Sequence, residues 1–291
     1  MRLLVGYDGS DEGRDALALA RLLSSEEESS VLVVAVMPYG PLPVRFVELE
    51  SDAAAAAEPL FEDARKQLQG AEVETRAFGG GSPAGVMTDL AERREVDSIV
   101  VGSPHRGPVG RTLIGSVAEG VLHGAPCAVT VAPGGYSERD RRPLGLIAIA
   151  YDGTPEAKAA LARARALAEA SGATVRVLTV VAPPVALPGV VGYTPVEPPE
   201  PDRVIEEAVR ELGPEVSAES RKLDGPPART LAKACEDGVD LLVSGSRGYG
   251  PMMRVLLGSV STQLIAEAPC PVMVVPRPQD GRFHDRPHQD G

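Results

Sequence analysis

Short runs of aliphatic and β-branched residues alternate along the chain with longer stretches whose apolar positions recur at helical spacing. In the first half this pattern predicts strands near Leu3–Tyr7, Val31–Val36, Glu72–Ala77, Ser98–Val101 and Ala128–Ala132. Between them it predicts helices near Asp11–Ser24, Asp52–Leu68, Pro83–Arg94 and Ser116–His123. The second half predicts strands near Leu146–Tyr151, Thr174–Val181, Glu215–Ser220, Leu241–Ser244 and Val272–Val275. Continuous apolar runs, rather than strict alternation with polar residues, are what a parallel sheet covered on both faces requires. Strands separated by helices imply an open α/β fold. Helix starts are marked too: Ser10 or Asp11 caps the first helix, and Thr154 followed by Pro155 opens its counterpart.

The chain is a tandem repeat. From Gly102 it reads GSPHRGPVGRTLIGSVAEGVLHGAPCAVTVAP and from Gly245 GSRGYGPMMRVLLGSVSTQLIAEAPCPVMVVP, identical at 15 of 32 positions without a gap. LLVGYDGSDEGRDALALARLL at the start is echoed by IAIAYDGTPEAKAALARARAL from Ile147. Two copies of this length predict two domains, at 1–137 and 144–277, with GGYSERDRRPLG as an exposed linker and the boundary near Asp140. The tail at 278–291 has the composition of a disordered terminus; its His284 and His288 are four apart, but Pro287 lies between them and no helical pattern surrounds them. Two proline-rich loops, MPYGPLPVRF from Met37 and APPVALPGVVGYTPVEPPEPD from Ala182, follow the second strand of each half and read either as lids or as disordered segments.

Composition narrows the function classes. With 43% hydrophobic and 24% charged residues this is the make-up of a globular protein, and a net charge of −12 argues against a nucleic-acid partner, whose binding needs dense positive charge. No stretch approaches the roughly 20 apolar residues that span a bilayer, and the first strand begins without a cleavage region, which predicts a cytoplasmic protein with no membrane partner. The three cysteines, Cys127, Cys235 and Cys270, are far apart in sequence and form no C-x-x-C motif, so they read as packing residues rather than a disulfide framework or metal site.

Ligands of open α/β sheets bind beyond the carboxyl ends of the strands. Three repeated features fall there: Asp8 and Asp152 after the first strand, Val36 and Val180 at the end of the second, and a glycine loop ending in a Gly-Ser pair. Gly258 and Ser259 open the last helix, whose free N–H groups and dipole favour an anion, while Gly245 and Gly248 carry no Cβ to hold that anion away. A P-loop is excluded because GRTLIGS from Gly110 lacks the lysine, and neither YDGSDEG nor YDGTPEA supplies a dinucleotide fingerprint. FGGGSP from Phe78 follows the third strand and reads as a flexible helix entry.

The spacing G-x2-G-x9-G-[ST], here Gly245, Gly248, Gly258 and Ser259, together with the Asp after the first strand, resembles the ATP-binding signature of the universal stress protein family. The resemblance covers nearly the whole chain, twice. It implies two open five-stranded parallel sheets of strand order 3-2-1-4-5, and ATP, with or without Mg, as the cofactor. It implies Asp152 and the backbone near Val180 at the adenine end, with Gly245, Gly248, Gly258, Ser259 and Val260 around ribose and phosphates. The matching N-terminal set is Asp8, Val36, Gly102, Gly115, Ser116 and Val117, but His105, after Pro104, stands where the second glycine belongs. A side chain in a glycine-only conformation costs about 1–3 kcal/mol, enough to weaken that site by roughly tenfold to a hundredfold. The loop offers Arg247 and Arg254 but no lysine or general base, so a nucleotide-dependent stress-response module is expected rather than a rapid ATPase. A slow ATP-dependent hydrolase or transferase, and a scaffold without nucleotide, remain alternatives. The uncovered edges CAVTVAP and CPVMVVP predict that the halves pair through their fifth strands as an intrachain pseudo-dimer, with further association into a homodimer left open.

Overall fold

The computed structural model describes residues 1–25, 29–37, 47–49, 54–104, 114–139, 142–182, 200–246 and 258–276. In the first half β1 (Arg2–Gly6), α1 (Asp11–Ser25), β2 (Ser30–Met37), β3 (Val47–Glu48), α2 (Glu58–Gln67), β4 (Glu72–Gly79), α3 (Pro83–Arg93), β5 (Ser98–Gly102), α4 (Ser116–Leu122) and β6 (Ala128–Ala132) follow in order. The second half contributes β7 (Leu146–Ala150), α5 (Pro155–Ser171), β8 (Thr174–Val181), α6 (Pro201–Leu212), β9 (Ala218–Asp224), α7 (Pro227–Ala234), β10 (Leu241–Gly245), α8 (Ser259–Glu267) and β11 (Val272–Val275).

The eleven strands of the described residues form one sheet, ordered β3-β4-β2-β1-β5-β6-β11-β10-β7-β8-β9. Leaving out the two-residue β3, each half has the order 3-2-1-4-5 with parallel pairing, and the second is the mirror of the first. The halves meet where β6 and β11 pair antiparallel, Val131 opposite Val272 and Val129 opposite Val274. The expected pseudo-dimer through the fifth strands is therefore present, and those two edges are closed by each other.

Successive strand residues point to opposite faces, and here both faces are covered. Leu3, Val5, Ile147, Ile149 and Met273 join the layer packed under α1, α2, α5 and α6. Leu4, Ala148, Val129, Val131, Val272 and Val274 join the layer under α3, α4, α7 and α8. Each layer runs through the seam, where every buried valine contributes about 1.5–3 kcal/mol by leaving water. Two helix starts follow the sequence signals, Ser10 Oγ accepting from Gly13 N (3.1 Å) and Thr154 Oγ1 from Ala157 N (3.2 Å), and Ser82 Oγ accepts from Gly85 N (3.1 Å) in the same way at α3.

One expected strand shifts and one short strand is added. β9 runs Ala218–Asp224, not Glu215–Ser220: Gly213 turns the chain at φ +76, Val216 is buried ahead of the strand, and pairing with β8 begins at Ala218 opposite Val175. Because β9 is an edge strand with mostly exposed residues, its polar sequence AESRKLD gave no apolar run to read. Of the helix expected from Asp52, 51–53 lie outside the described residues; Ala54 is helical, a 3-10 turn follows at Ala55–Ala57, and the α-helix runs Glu58–Gln67 with Pro59 in its first turn. β3, antiparallel to β4 at Val47 and Glu48, is too short to announce itself.

The linker is not simply exposed. Its Tyr136–Glu138 turn is docked on α1 by the fully buried Asp15, which accepts from Gly135 N (2.8 Å), Ser137 N (2.7 Å) and Ser137 Oγ (2.7 Å). Arg139 continues the attachment across the seam, donating to the Pro269 carbonyl at 2.6 Å. The boundary residue Asp140 and the tail lie outside the described residues.

Candidate functional site

Each half turns from its first strand into its first helix through the same hydrogen-bonded corner. Asp152 Oδ1 accepts from Thr154 N (3.1 Å) and Thr154 Oγ1 (2.6 Å); Asp8 Oδ1 accepts from Ser10 N (3.0 Å) and Ser10 Oγ (2.5 Å). The residue between must turn left-handed, and it is Gly153 at φ +79 or Gly9 at φ +82. Both carboxylates are exposed, and Oδ2 of each has no partner among the described residues. So one oxygen builds the corner and the other faces outward, free to accept from a ligand.

Beneath these aspartates lie two buried tyrosines with different fates. Tyr7 donates its hydroxyl to Asp63 on α2, and burial first, then Asp63, pushes its pKa up to about 12. Tyr151 is equally buried, yet its hydroxyl finds no partner among the described residues; burial raises its pKa, and the nearby Glu211, Glu207 and Asp152 charges add to the shift.

The second strand and the glycine positions converge on this edge. Val180, half-buried, stands opposite Leu223 near the end of β8, and Thr179 Oγ1 donates to the Tyr151 carbonyl at 2.9 Å, tying β8 to the Asp152 corner. Gly245 ends β10, where an added Cβ would lie 2.7 Å from the carbonyl carbon and oxygen of Glu156 in the first turn of α5. At Gly102 the same atom would come within 2.0 Å of the Glu12 carbonyl oxygen. These two glycines are explained by close helix–strand packing, independently of any ligand.

Gly258 caps α8 with extended angles, φ −73 and ψ 155, and offers no side chain to the first turn. Ser261 Oγ donates to the Gly245 carbonyl at 3.3 Å, which fixes the start of α8 against the end of β10. Ser259 is exposed and Val260 packs on the core. Asp152, Val180, Gly245 and Gly258–Val260 thus share one edge of the sheet, whereas Gly248, Arg247 and Arg254 lie outside the described residues.

In the first half Asp8, Val36, Gly102, Gly115, Ser116 and Val117 occupy the corresponding places, and His105 lies outside the described residues. Two differences were not read from the sequence. The helix α4 has 7 residues against 9 in α8, and its first turn carries Glu119 where α8 has Thr262. A carboxylate there opposes an incoming anion, and aligning the two repeats would have exposed it.

No group of metal-ligating side chains is found among the described residues. The fold does bring Cys235 and Cys270 together, although they are far apart in sequence: both are buried free thiols, and the hydrogen bond with Cys235, then burial, raises the pKa of Cys270. Cys127 is pushed up to about 12 by burial, consistent with a packing role. No helix among the described residues is long and apolar enough to cross a membrane.

Comparison with known proteins follows the same two-part division. The family model described as "Universal stress protein family" matches residues 1–133 and again 145–276. A universal stress protein of Mycobacterium tuberculosis strain H37Rv is 28% identical over 305 residues, covering 95% of this chain and 100% of its own length. A universal stress protein of Thermus aquaticus is 37% identical over 144 residues, covering 44% of this chain and 96% of its own. Among solved structures, a universal stress protein from Archaeoglobus fulgidus superposes with a TM-score of 0.71 at 23% identity, covering 95% of this chain and 98% of that one, a likeness of fold.

Proposed function

Since the chain belongs to the universal stress protein family, in tandem form, we propose that its C-terminal half binds an adenine nucleotide and that occupancy, not turnover, is its output. The observation that carries this reading is the convergence of Asp152 and the bare N-terminus of α8 on one edge of the sheet, joined through the Ser261–Gly245 hydrogen bond. The outward oxygen of Asp152 accepts a hydrogen bond from base or ribose. The first N–H groups of α8, to which the cap residue Gly258 offers no side chain, receive phosphate oxygens. ATP, with or without Mg, is the ligand that the family resemblance implies, and the residues present fit its two ends. A divalent ion would be held by the phosphates themselves.

Slow turnover follows from what the chain lacks at this edge. The glycine loop sequence offers Arg247 and Arg254 but no lysine and no general base, and hydrolysis needs a residue to orient the attacking water. The first half is the weaker partner: Glu119 sits in the first turn of α4, and His105 replaces the second glycine of the motif. One nucleotide per chain is therefore expected. Incubating the full chain with labelled ATP and separating bound, intact and hydrolysed nucleotide tests the reading. Bound intact ATP at one per chain supports it; rapid hydrolysis supports an enzyme, and no retained nucleotide supports a scaffold acting through protein contacts.

A further inference from the structure

We propose that the cavity at the seam between the halves is a second ligand site, for a small organic molecule carrying a phosphoryl group. The cavity encloses about 410 Å³ between α1, the Tyr136–Arg139 linker and the amino ends of β10 and β11. Sites of roughly 300–1,000 Å³ at domain interfaces are the usual setting for small-molecule binding. It is separate from the nucleotide edge, because Asp240 lines the cavity just before β10 begins, and Gly245 closes the other end of that strand. At about 3.3 Å per residue the two lie roughly 16 Å apart.

Three guanidinium groups line it: Arg21, Arg139 and Arg142. Eight arginines elsewhere pair with carboxylates. None of these three does so among the described residues. Arg139 is held in place, stacked 5.5 Å over the Tyr136 ring and donating to the Pro269 carbonyl. Arg21 has only a long 3.5 Å hydrogen bond to the Gln67 carbonyl, and Arg142 is exposed with no bonded partner among the described residues. The single carboxylate in the wall, Asp240, already accepts at one oxygen from Gly145 N (2.9 Å) and Leu146 N (2.8 Å).

In a chain of net charge −12, three cations with no carboxylate partner among the described residues make a local positive field around one concavity in an otherwise acidic molecule. Guanidinium forks match phosphate oxygens two at a time, which favours a phosphoryl dianion over a single carboxylate. The rest of the wall, Leu22, Val239 and Pro271 with the Tyr136 ring, is apolar and suits a carbon skeleton rather than a bare ion.

Calorimetry with glucose 6-phosphate and with glucose on the full chain carrying Gly258→Asp tests the proposal with the nucleotide edge disabled. The expected result is binding of the phosphate ester and not of the free sugar, weakening as salt is raised. Adding Arg21→Gln and Arg142→Gln should reduce the affinity at least tenfold, since each removes a charge-assisted hydrogen bond, while the thermal midpoint without ligand stays unchanged. Equal binding of both sugars, no binding at millimolar concentration, or unchanged affinity in the arginine variant overturns the site. None of these outcomes bears on ATP, so the two readings fail separately.

Discussion

Gly245 presses its Cα against the first turn of α5, and a methyl group placed there meets backbone that cannot swing aside. Gly245→Ala should therefore destabilise the fold by about 1–3 kcal/mol, the ordinary cost of overpacking, and urea denaturation would show it as a lower midpoint with an unchanged slope. Full stability in that variant would remove the packing explanation. Tyr7 gives a test in pH. Its phenol stays protonated in the folded chain up to about 12, from an ordinary value of 10.0, so the unfolded chain loses its proton first as pH rises. Its contribution is intact below pH 10 and is lost on the way to pH 12. The urea midpoint should fall between pH 9 and pH 11.5, and fall less in Tyr7→Phe; parallel profiles for the two proteins would refute the assignment.

Among the elements, the helices that open on Ser10 and Thr154 were legible in the sequence, because these residues announce their helices chemically. The central strands were legible for a different reason: burial on both faces leaves unbroken apolar runs such as Ile147–Ile149. β9 was misplaced because an edge strand with exposed side chains has no such constraint, and Val216 before it supplied a false one. At the candidate site the aspartate corners and the two Gly-Ser helix starts could be read directly, and Glu119 only by comparing the repeats position by position, while the pairing of Cys235 with Cys270 depends on how the chain folds back on itself. Asp15 was equally hidden, a carboxylate within α1 whose three partners come from a linker more than a hundred residues away. Asp15→Ala should cost about 3 kcal/mol by leaving those donors unpaired, with faster amide exchange at 135–138 as its local sign. Unaltered exchange there would mean that the linker is held by something else. For α8, Gly258→Asp sets a carboxylate where the proposed phosphate meets the helix end and should abolish ATP binding. Gly115→Asp, at the weaker site, should barely change it. Calorimetry on both variants checks the pair, and retention of ATP by Gly258→Asp would count against the nucleotide edge.

At the level of the whole molecule the two core layers cross the seam without interruption, so neither half ends at its own boundary. Separating them would expose the β6 and β11 edges together with Val129, Val131, Val272 and Val274. Residues 1–139 and 142–291 produced as two chains in one cell should consequently copurify as a one-to-one complex. Recovery of each as a stable monomer by size-exclusion chromatography would show the seam to be dispensable.

The antiparallel pairing of β6 with β11 also sets the direction of everything beyond it. Strands of one half run against those of the other, so the two carboxyl edges open on opposite rims of the sheet. Two identical subunits joined by such a seam would be obliged to change both rims at once, because one gene copy encodes both. A fused pair is released from that obligation and does not come apart on dilution, since the partner strand is always on the same chain. Glu119 facing one rim and Thr262 facing the other is the kind of inequality that only covalent joining permits: one copy can drift away from its ligand while the other keeps it, and the strand that holds them together need not change.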